Sequence, residues 1–306
     1  MLDIMGNCIF HLTNMQLNKT YCENCEGRGD TNIGANVCFV CKGFGRKLNN
    51  VFNEDCLFTM AKMPNDFVDM TLTSPPYDNL RDYKGYSFDF ESIAKELFRI
   101  TKQGGVVVWV VGDAVIDGSE SGTSFTQALF FMKCGFFLHD TMIYDKGKVI
   151  FPDANRYHNC FEFMFVFSKG KPKTVNLIKD RKNKWSKSWG KRTYRQKDGT
   201  RKQKEVIELE EIGVRYNIWT IQNGFMHTTL DEYAYEHPAM FPEKLAQDHI
   251  KSWSNEGDLV YDPMIGSGTT GKMAVMLKRN YIGSEISAEY TKLAEDRIKS
   301  ISNPLF

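Results

Sequence analysis

Residues 258–287 read DLVYDPMIGSGTTGKMAVMLKRNYIGSEIS, and this stretch decides the fold class. An apolar run ends at Asp262, a turn with Gly266 and Gly268 follows, a helical segment starts near Thr269, and a second apolar run ends near Glu285. Strand, turn, helix and strand in this order form a βαβ unit, whose crossover sets the two strands parallel in one sheet. The glycines let the backbone approach a ligand closely, and an acid closing the second strand suits a pair of ribose hydroxyls. The unit therefore reads as a nucleoside site, against the alternative that the glycines serve only close strand packing. It is neither GxGxxG nor GxxxxGK[ST], so a standard dinucleotide loop and a P-loop are both unsupported.

The α/β rhythm extends outward from this unit. Residues 49–77 read as a short strand, a helix over about Cys56 to Lys62, a turn at Pro64 and Asn65, and a further strand. FESIAKELFRITKQGG (90–105) spaces Ile93, Leu97 and Ile100 as a helix before a glycine stop, and GGVVVWVVGDA (104–114) suits a central parallel strand. A polar loop at 117–124 leads to a helix over about 125–134. Two strands, FFLHDTMIYDK (136–146) and FEFMFVFSK (161–169), are expected as an antiparallel edge hairpin. Helices are expected over FPEKLAQDHIKSWS (241–254) and AEYTKLAEDRIKS (288–300).

A second landmark, VDMTLTSPPYDNL at 68–80, opens as a buried strand and then sets Pro75 beside Pro76. Proline has no backbone N–H to continue a ladder, so both lie in a stiff coil beyond the strand. In an open parallel sheet, ligands bind beyond the carboxyl ends of the strands, where such a coil can hold a reacting group.

The 306 residues, 42% of them hydrophobic, suffice for one large α/β domain with insertions or for two domains. No run approaches about 18 consecutive apolar residues, and no basic region precedes a long apolar core near the start. Neither a membrane span nor a secretory signal is expected, and the chain reads as cytoplasmic. The net charge of +1 conceals an asymmetry: residues 169–204 carry 15 of the 39 Lys and Arg residues but only two of the 38 acids, Asp180 and Asp198. Positive charge concentrated in this way suits a polyanion, with a solvated loop as the alternative.

Four of the eight cysteines form CENC and CFVC, with Cys22, Cys25, Cys38 and Cys41 spaced to close a tetrahedral structural zinc site holding one ion. A disulfide framework fits a cytoplasmic chain less well. CENCEGRG and CFVCKGFG resemble the CxxCxGxG repeats of the zinc domain in DnaJ-type chaperones, which implies a zinc fold and not chaperone activity. Cys8, Cys56, Cys134 and Cys160 read as core or surface thiols.

DPMIGSGTT (262–270) resembles the S-adenosylmethionine motif of DNA amino-methyltransferases, and LTSPPY (72–77) resembles their catalytic motif in the form associated with N4-cytosine enzymes. Residues 53–77 are similar to the segment that leads into the catalytic motif, and HPAMFPEKL (237–245) to the pre-loop helix motif. The order, catalytic half before cofactor half, resembles the permuted β class. The resemblance covers roughly 50–168 and 217–300. It implies a Rossmann-like, circularly permuted fold with a mostly parallel seven-stranded sheet and an antiparallel hairpin. The chain then divides into a zinc-bearing segment at 1–48, a catalytic half at 49–168, a basic insertion at 169–216 that is a candidate for target recognition, and a cofactor half at 217–306.

By that resemblance, Gly266, Ser267 and Gly268 wrap the methionine portion of S-adenosylmethionine, and Asp262 and Pro263 organise the loop. Glu285 binds the ribose hydroxyls, and Thr269 and Thr270 meet the carboxylate at a helix N-terminus. Asp55 contacts the adenine end, with an N-cap as its alternative role. Thr73, Pro242, Lys244 and Leu245 lie around the cofactor, and Lys244 equally suits a solvated helix lysine. Ser74 and the Pro75 carbonyl, held rigid by Pro76, accept hydrogen bonds from an exocyclic amino group, and Tyr77 stacks on the extruded base. No metal or covalent enzyme intermediate is needed for that transfer.

Serine at position 74 favours cytosine N4 over adenine N6, whose enzymes usually carry Asp or Asn there. Lys182, Lys184, Trp185, Lys187, Trp189, Lys191, Arg192 and Arg195 are expected to contact double-stranded DNA, with Tyr194 beside them. A zinc-bearing nucleic-acid-binding protein on an inactive methyltransferase fold and methylation of RNA are the competing readings. The sequence leaves open whether a cognate restriction endonuclease exists and whether the protein is a monomer or a homodimer.

Overall fold

The structure is a computed structural model that describes residues 21–23, 40–76, 88–147, 155–184, 192–204, 210–237, 240 and 242–302. In chain order its elements begin with β1 (Asn50–Phe52), α1 (Cys56–Lys62), β2 (Val68–Thr73), α2 (Phe90–Ile100) and β3 (Thr101–Val111). The short β4 (Val115–Ile116) and β5 (Ser119–Glu120) precede α3 (Thr123–Lys133), β6 (Phe137–Asp145) and β7 (Phe161–Ser168). The insertion contributes β8 (Lys179–Lys182), β9 (Arg192–Arg195), β10 (Arg201–Lys204) and β11 (Ile212–Val214). The chain then runs through β12 (Ile218–Thr220), α4 (Glu243–Trp253), β13 (Leu259–Asp262), α5 (Thr269–Met276), β14 (Asn280–Ser284) and α6 (Ala288–Ser302).

The main sheet has the order β1-β14-β13-β2-β3-β7-β6-β12. Every neighbouring pair is parallel except the two that involve β7, which runs antiparallel to both β3 and β6. Two apolar layers cover it. Trp109, Phe131 and Phe167 pack with α1, α2 and α3 on one face, and Met70, Leu72 and Val108 pack with α4, α5 and α6 on the other. Burial on both faces explains why β2 and the Val106–Val111 run of β3 read as unbroken apolar runs instead of alternating ones.

Four expectations are corrected. Among the described residues the sheet has eight strands and not seven, because Ile218–Thr220 adds beside β6 after the insertion. The β6–β7 pair is therefore no edge hairpin; β7 is interior and β12 takes the edge. Helix α2 has no glycine stop. It passes straight into β3 at Thr101, and Gly104 and Gly105 instead fit an irregularity in the β2–β3 ladder, where a Cβ on Gly105 would meet the Asp69 carbonyl at 2.9 Å. The polar loop at 117–124 contains part of the β4–β5 hairpin, and α3 starts two residues earlier than expected, with Asp113 accepting from the Ser124 amide and hydroxyl.

The insertion, expected without strand periodicity, forms two two-stranded ribbons, β8–β11 and β9–β10. The first is tied to the body by Arg215, which donates to Asp180 and to the buried Asp248 and lies over the Trp219 ring. Its local pattern is too short for periodicity to reveal, because its register comes from these long-range anchors.

Candidate active site

Strands β1, β14, β13, β2 and β3 all present their carboxyl ends to one edge of the sheet, so Phe52, Ser284, Asp262, Thr73 and Val111 end there together. At its centre Asp262 accepts from the Thr73 hydroxyl at 2.7 Å, the Thr270 hydroxyl at 2.7 Å and the Met264 amide at 3.0 Å. Burial raises its pKa to about 6, against the lowering effect of those three donors. Thr73 and Asp262 thus join the strand that enters the proline coil to the strand that enters the glycine loop. Ser74 is half-buried, Pro75 buried and Pro76 half-buried at the start of that coil, whereas Tyr77 lies outside the described residues.

The glycine loop is held from both sides. Glu285 accepts from the Gly266 amide at 3.0 Å and the Ser287 amide at 2.9 Å, and burial raises its pKa. Gly268 has φ +85°, and a Cβ there would meet the Ala294 Cα at 2.9 Å, so this position takes only glycine without displacing α6. The Thr270 hydroxyl is committed to Asp262, and the Thr269 hydroxyl accepts from Arg297 at 2.9 Å. An anion would therefore meet the backbone N–H groups at the start of α5 more readily than these hydroxyls.

Sequence reasoning missed Arg297, a fully buried arginine on α6. It donates to the Ser267 carbonyl (3.1 Å), the Ser267 hydroxyl (3.2 Å) and the Thr269 hydroxyl, and it pairs with Asp231 (2.6 Å) and Glu243 (2.5 Å). Lys272 joins the same two carboxylates at 2.7 Å each. Two cations and two carboxylates balance, so the fully buried guanidinium is compensated by partly buried carboxylates. One signal was present. Thr291, Ala294, Arg297 and Ile298 form the buried stripe of α6, and an arginine on such a stripe needs a buried partner.

Asp55 caps α1, accepting from the Leu57 amide at 2.7 Å, and so fills its alternative role in this structure. Pro242 is the N-cap residue of α4, where its carbonyl accepts from the Leu245 and Ala246 amides; Leu245 is buried and Pro263 is buried after β13. Lys244 is half exposed and pairs with Asp248, one turn along its own helix, as a solvated helix lysine does.

Residues 68–296 match the family model described as DNA methylase, of the N6/N4 type. The chain belongs to the N6/N4 DNA methylase family. It is 61% identical over 237 residues, 76% of this chain and 89% of the relative, to the orphan methyltransferase M.BamHII of Bacillus amyloliquefaciens. Its fold resembles the cytosine-N4-specific PvuII DNA methyltransferase, with a TM-score of 0.61, 21% identity and coverage of 81% and 85% of the two chains. It also resembles M1.HpyAVI solved in complex with SAM, with a TM-score of 0.54, 21% identity and coverage of 81% and 98%.

In this DNA methylase the expected DNA contacts divide. Lys182 and Arg195 are exposed on the ribbons, Lys184 is exposed just past β8, and Arg192 lies opposite Lys204 in the β9–β10 register. Trp185, Lys187, Trp189 and Lys191 lie outside the described residues. No helix among the described residues is long and apolar enough to cross a membrane.

Of the expected zinc ligands, Cys22 and Cys41 are both buried against the methylase core, while Cys25 and Cys38 lie outside the described residues. Among the described residues no group of three or more metal-ligating side chains occurs. The backbone around Cys22 and Cys41 is paired: the Cys22 amide donates to the Gly45 carbonyl at 2.9 Å, and the Gly45 amide donates to the Cys41 Sγ at 3.3 Å. Phe44 packs on Phe52 and Phe67, and Arg46 pairs with Glu54 over the Phe52 ring. This segment is therefore fastened beside β1 and α1, next to Asp55.

Proposed function

We propose that the protein transfers a methyl group from S-adenosylmethionine to the exocyclic N4 of cytosine in duplex DNA, by direct displacement on a base turned out of the helix. The observation that carries this reading is the Thr73–Asp262 hydrogen bond, which places the serine-proline-proline coil and the glycine loop side by side at one sheet edge. S-adenosylmethionine supplies an electrophilic sulfonium methyl. The glycine loop at Gly266–Gly268, which Glu285 holds through the Gly266 amide, supports close approach of such a ligand, and the helix N-terminus at α5 favours its carboxylate. The permuted order of the two halves also matches this reading.

The amino nitrogen of a base is a poor nucleophile because its lone pair is delocalised into the ring. Ser74 and the Pro75 carbonyl accept from the amino hydrogens, favour a tetrahedral nitrogen and aim its lone pair at the methyl group. Tyr77 stacks on the base. The insertion, with its excess of cations, tracks the phosphates.

Digestion of DNA methylated by the purified protein, followed by mass spectrometry of the nucleosides, is expected to show N4-methylcytosine. N6-methyladenine would replace the cytosine assignment with the adenine one, which the family also contains and which a hydrogen-bond acceptor at Ser74 equally serves. Absence of transfer to DNA with transfer to RNA, or with none to either, would support the RNA or the binding-only reading respectively.

Cys22, Cys25, Cys38 and Cys41 hold one structural zinc ion in this proposal. The amide donated to the Cys41 Sγ supports it, since such a bond stabilises a thiolate. Metal analysis is expected to find one zinc per chain, and a well-folded metal-free protein would count against it.

A further inference from the structure

After β12 the chain crosses from one side of the catalytic edge to the other. The Ile221 amide donates to the Asp145 carbonyl at the end of β6, and Asp231 joins Lys272 and Arg297 beside the glycine loop. β12 runs parallel to β6, so this crossing begins at the same sheet edge that carries Ser74.

Between those anchors the backbone makes a tight turn whose Gly224 carbonyl accepts from the His227 amide at 3.0 Å and the Thr228 amide at 2.9 Å. The Gly224 amide donates to the Thr228 hydroxyl at 2.9 Å, the Tyr235 hydroxyl lies 2.9 Å from the Gly224 carbonyl, and the Glu243 amide donates to the Thr228 carbonyl at 3.0 Å. Thr228 and Thr229 are buried, so the base of the turn is fixed to α4.

The tip is the opposite of what a solvated turn selects. Phe225 is 64% exposed and Met226 44% exposed, and Met226 has φ +60°, a left-handed conformation that glycine or asparagine adopts at less cost. Phe225 leans on the Tyr235 ring at 5.2 Å, which props it outward. A rigid base, an apolar tip and a strained backbone are thus combined at the edge that receives the substrate, where strain held by surrounding structure marks function.

We infer that Phe225 and Met226 form an apolar wedge that enters the duplex and fills the space left by the extruded target base. Proteins that unstack DNA insert such side chains between base steps, and extrusion leaves a gap whose filling offsets part of the unstacking cost. This inference rests on the proposed action on a base in duplex DNA. Phe225 and Met226 touch the DNA and neither the cofactor nor the reacting atoms.

The test compares the wild type with a Phe225→Ser, Met226→Asn double variant on two duplexes that contain a site at which wild-type methylation has been mapped. One duplex is fully paired, and in the other the nucleotide opposite the target is abasic. The variant is expected to lose roughly tenfold to hundredfold in rate on the paired duplex and to regain most of it on the abasic one. Asparagine tolerates the left-handed backbone, and an unchanged thermal midpoint and S-adenosylmethionine affinity will show an intact fold. A Phe225→Leu, Met226→Leu variant keeps an apolar tip and is expected to retain activity on both duplexes. Equal rates of the Ser/Asn variant and the wild type on the paired duplex, or equal loss on both duplexes, would overturn the wedge while leaving the methyltransferase reading intact. Absence of wild-type transfer to any DNA would instead overturn that reading and the wedge with it.

Discussion

Thr73, the last residue of β2, donates its hydroxyl to Asp262, the last residue of β13, at 2.7 Å, and both side chains are buried. The two residues are 189 positions apart in sequence, so only the parallel packing of β13 beside β2 brings them together. Replacing Thr73 by Val removes one donor from a buried carboxylate and is expected to cost about 1–3 kcal/mol of stability, read by urea unfolding. Cofactor binding by calorimetry is expected to weaken as well, because the coil and the loop lose their tie. Unchanged unfolding and unchanged binding would contradict the link.

The pH dependence of Asp262 has a definite sign. Its folded pKa, about 6, lies above the ordinary value of 3.8, so its contribution to stability is fully present below that ordinary value and is lost as pH rises through about 6. Asp262→Asn removes this titration. The difference in unfolding free energy between variant and wild type is therefore expected to change between about pH 4 and about pH 6 and to flatten above that range. A flat difference across the window would argue against the raised pKa.

Arg297→Met leaves Lys272 as the cation shared by Asp231 and Glu243, with the Thr229 hydroxyl still donating to Glu243, and releases Ser267 and Thr269. Removal of the fully buried cation from this partly buried ion cluster is expected to destabilise by about 3 kcal/mol, read by denaturant unfolding. Arg297→Lys keeps the charge but cannot reach five acceptors, so it is expected to fold and to bind S-adenosylmethionine more weakly than the wild type. Wild-type affinity in that variant would show that the loop does not depend on the guanidinium.

Arg195 faces Arg201 across the β9–β10 ribbon, and both are exposed. Like charges directly opposite destabilise a ribbon in isolation, whereas a polyanion relieves them. The double change to Ser is expected to reduce the slope of log affinity for DNA against log salt by about 2, with little change in thermal stability. A slope equal to that of the wild type would place the DNA elsewhere.

Ser74→Ala is expected to lower kcat roughly a hundredfold to a thousandfold, since the proposed transfer loses one acceptor for the amino hydrogens, with S-adenosylmethionine affinity preserved. Parallel loss of cofactor binding in calorimetry would point to a structural role instead.

Legible in the residues alone were the βαβ unit around Asp262, Gly268 and Glu285, the end of β2 before Pro75, and helices α1, α4, α5 and α6. Each is specified by local chemistry: apolar periodicity, glycine at a left-handed position, and proline without an N–H. Motif order also exposed the family. Tertiary structure alone decided which partners the polar groups took. Asp55 became a helix cap, Lys244 turned to Asp248, and the Thr269 and Thr270 hydroxyls were committed to Arg297 and Asp262. It likewise recruited β12 as an eighth strand of the described sheet, buried Arg297 against the glycine loop and set Phe225 and Met226 on a braced turn after β12. These outcomes depend on hydrogen bonds and ion pairs between residues distant in the chain, and a buried polar group takes whichever partner the packed elements bring within reach, which no local pattern encodes.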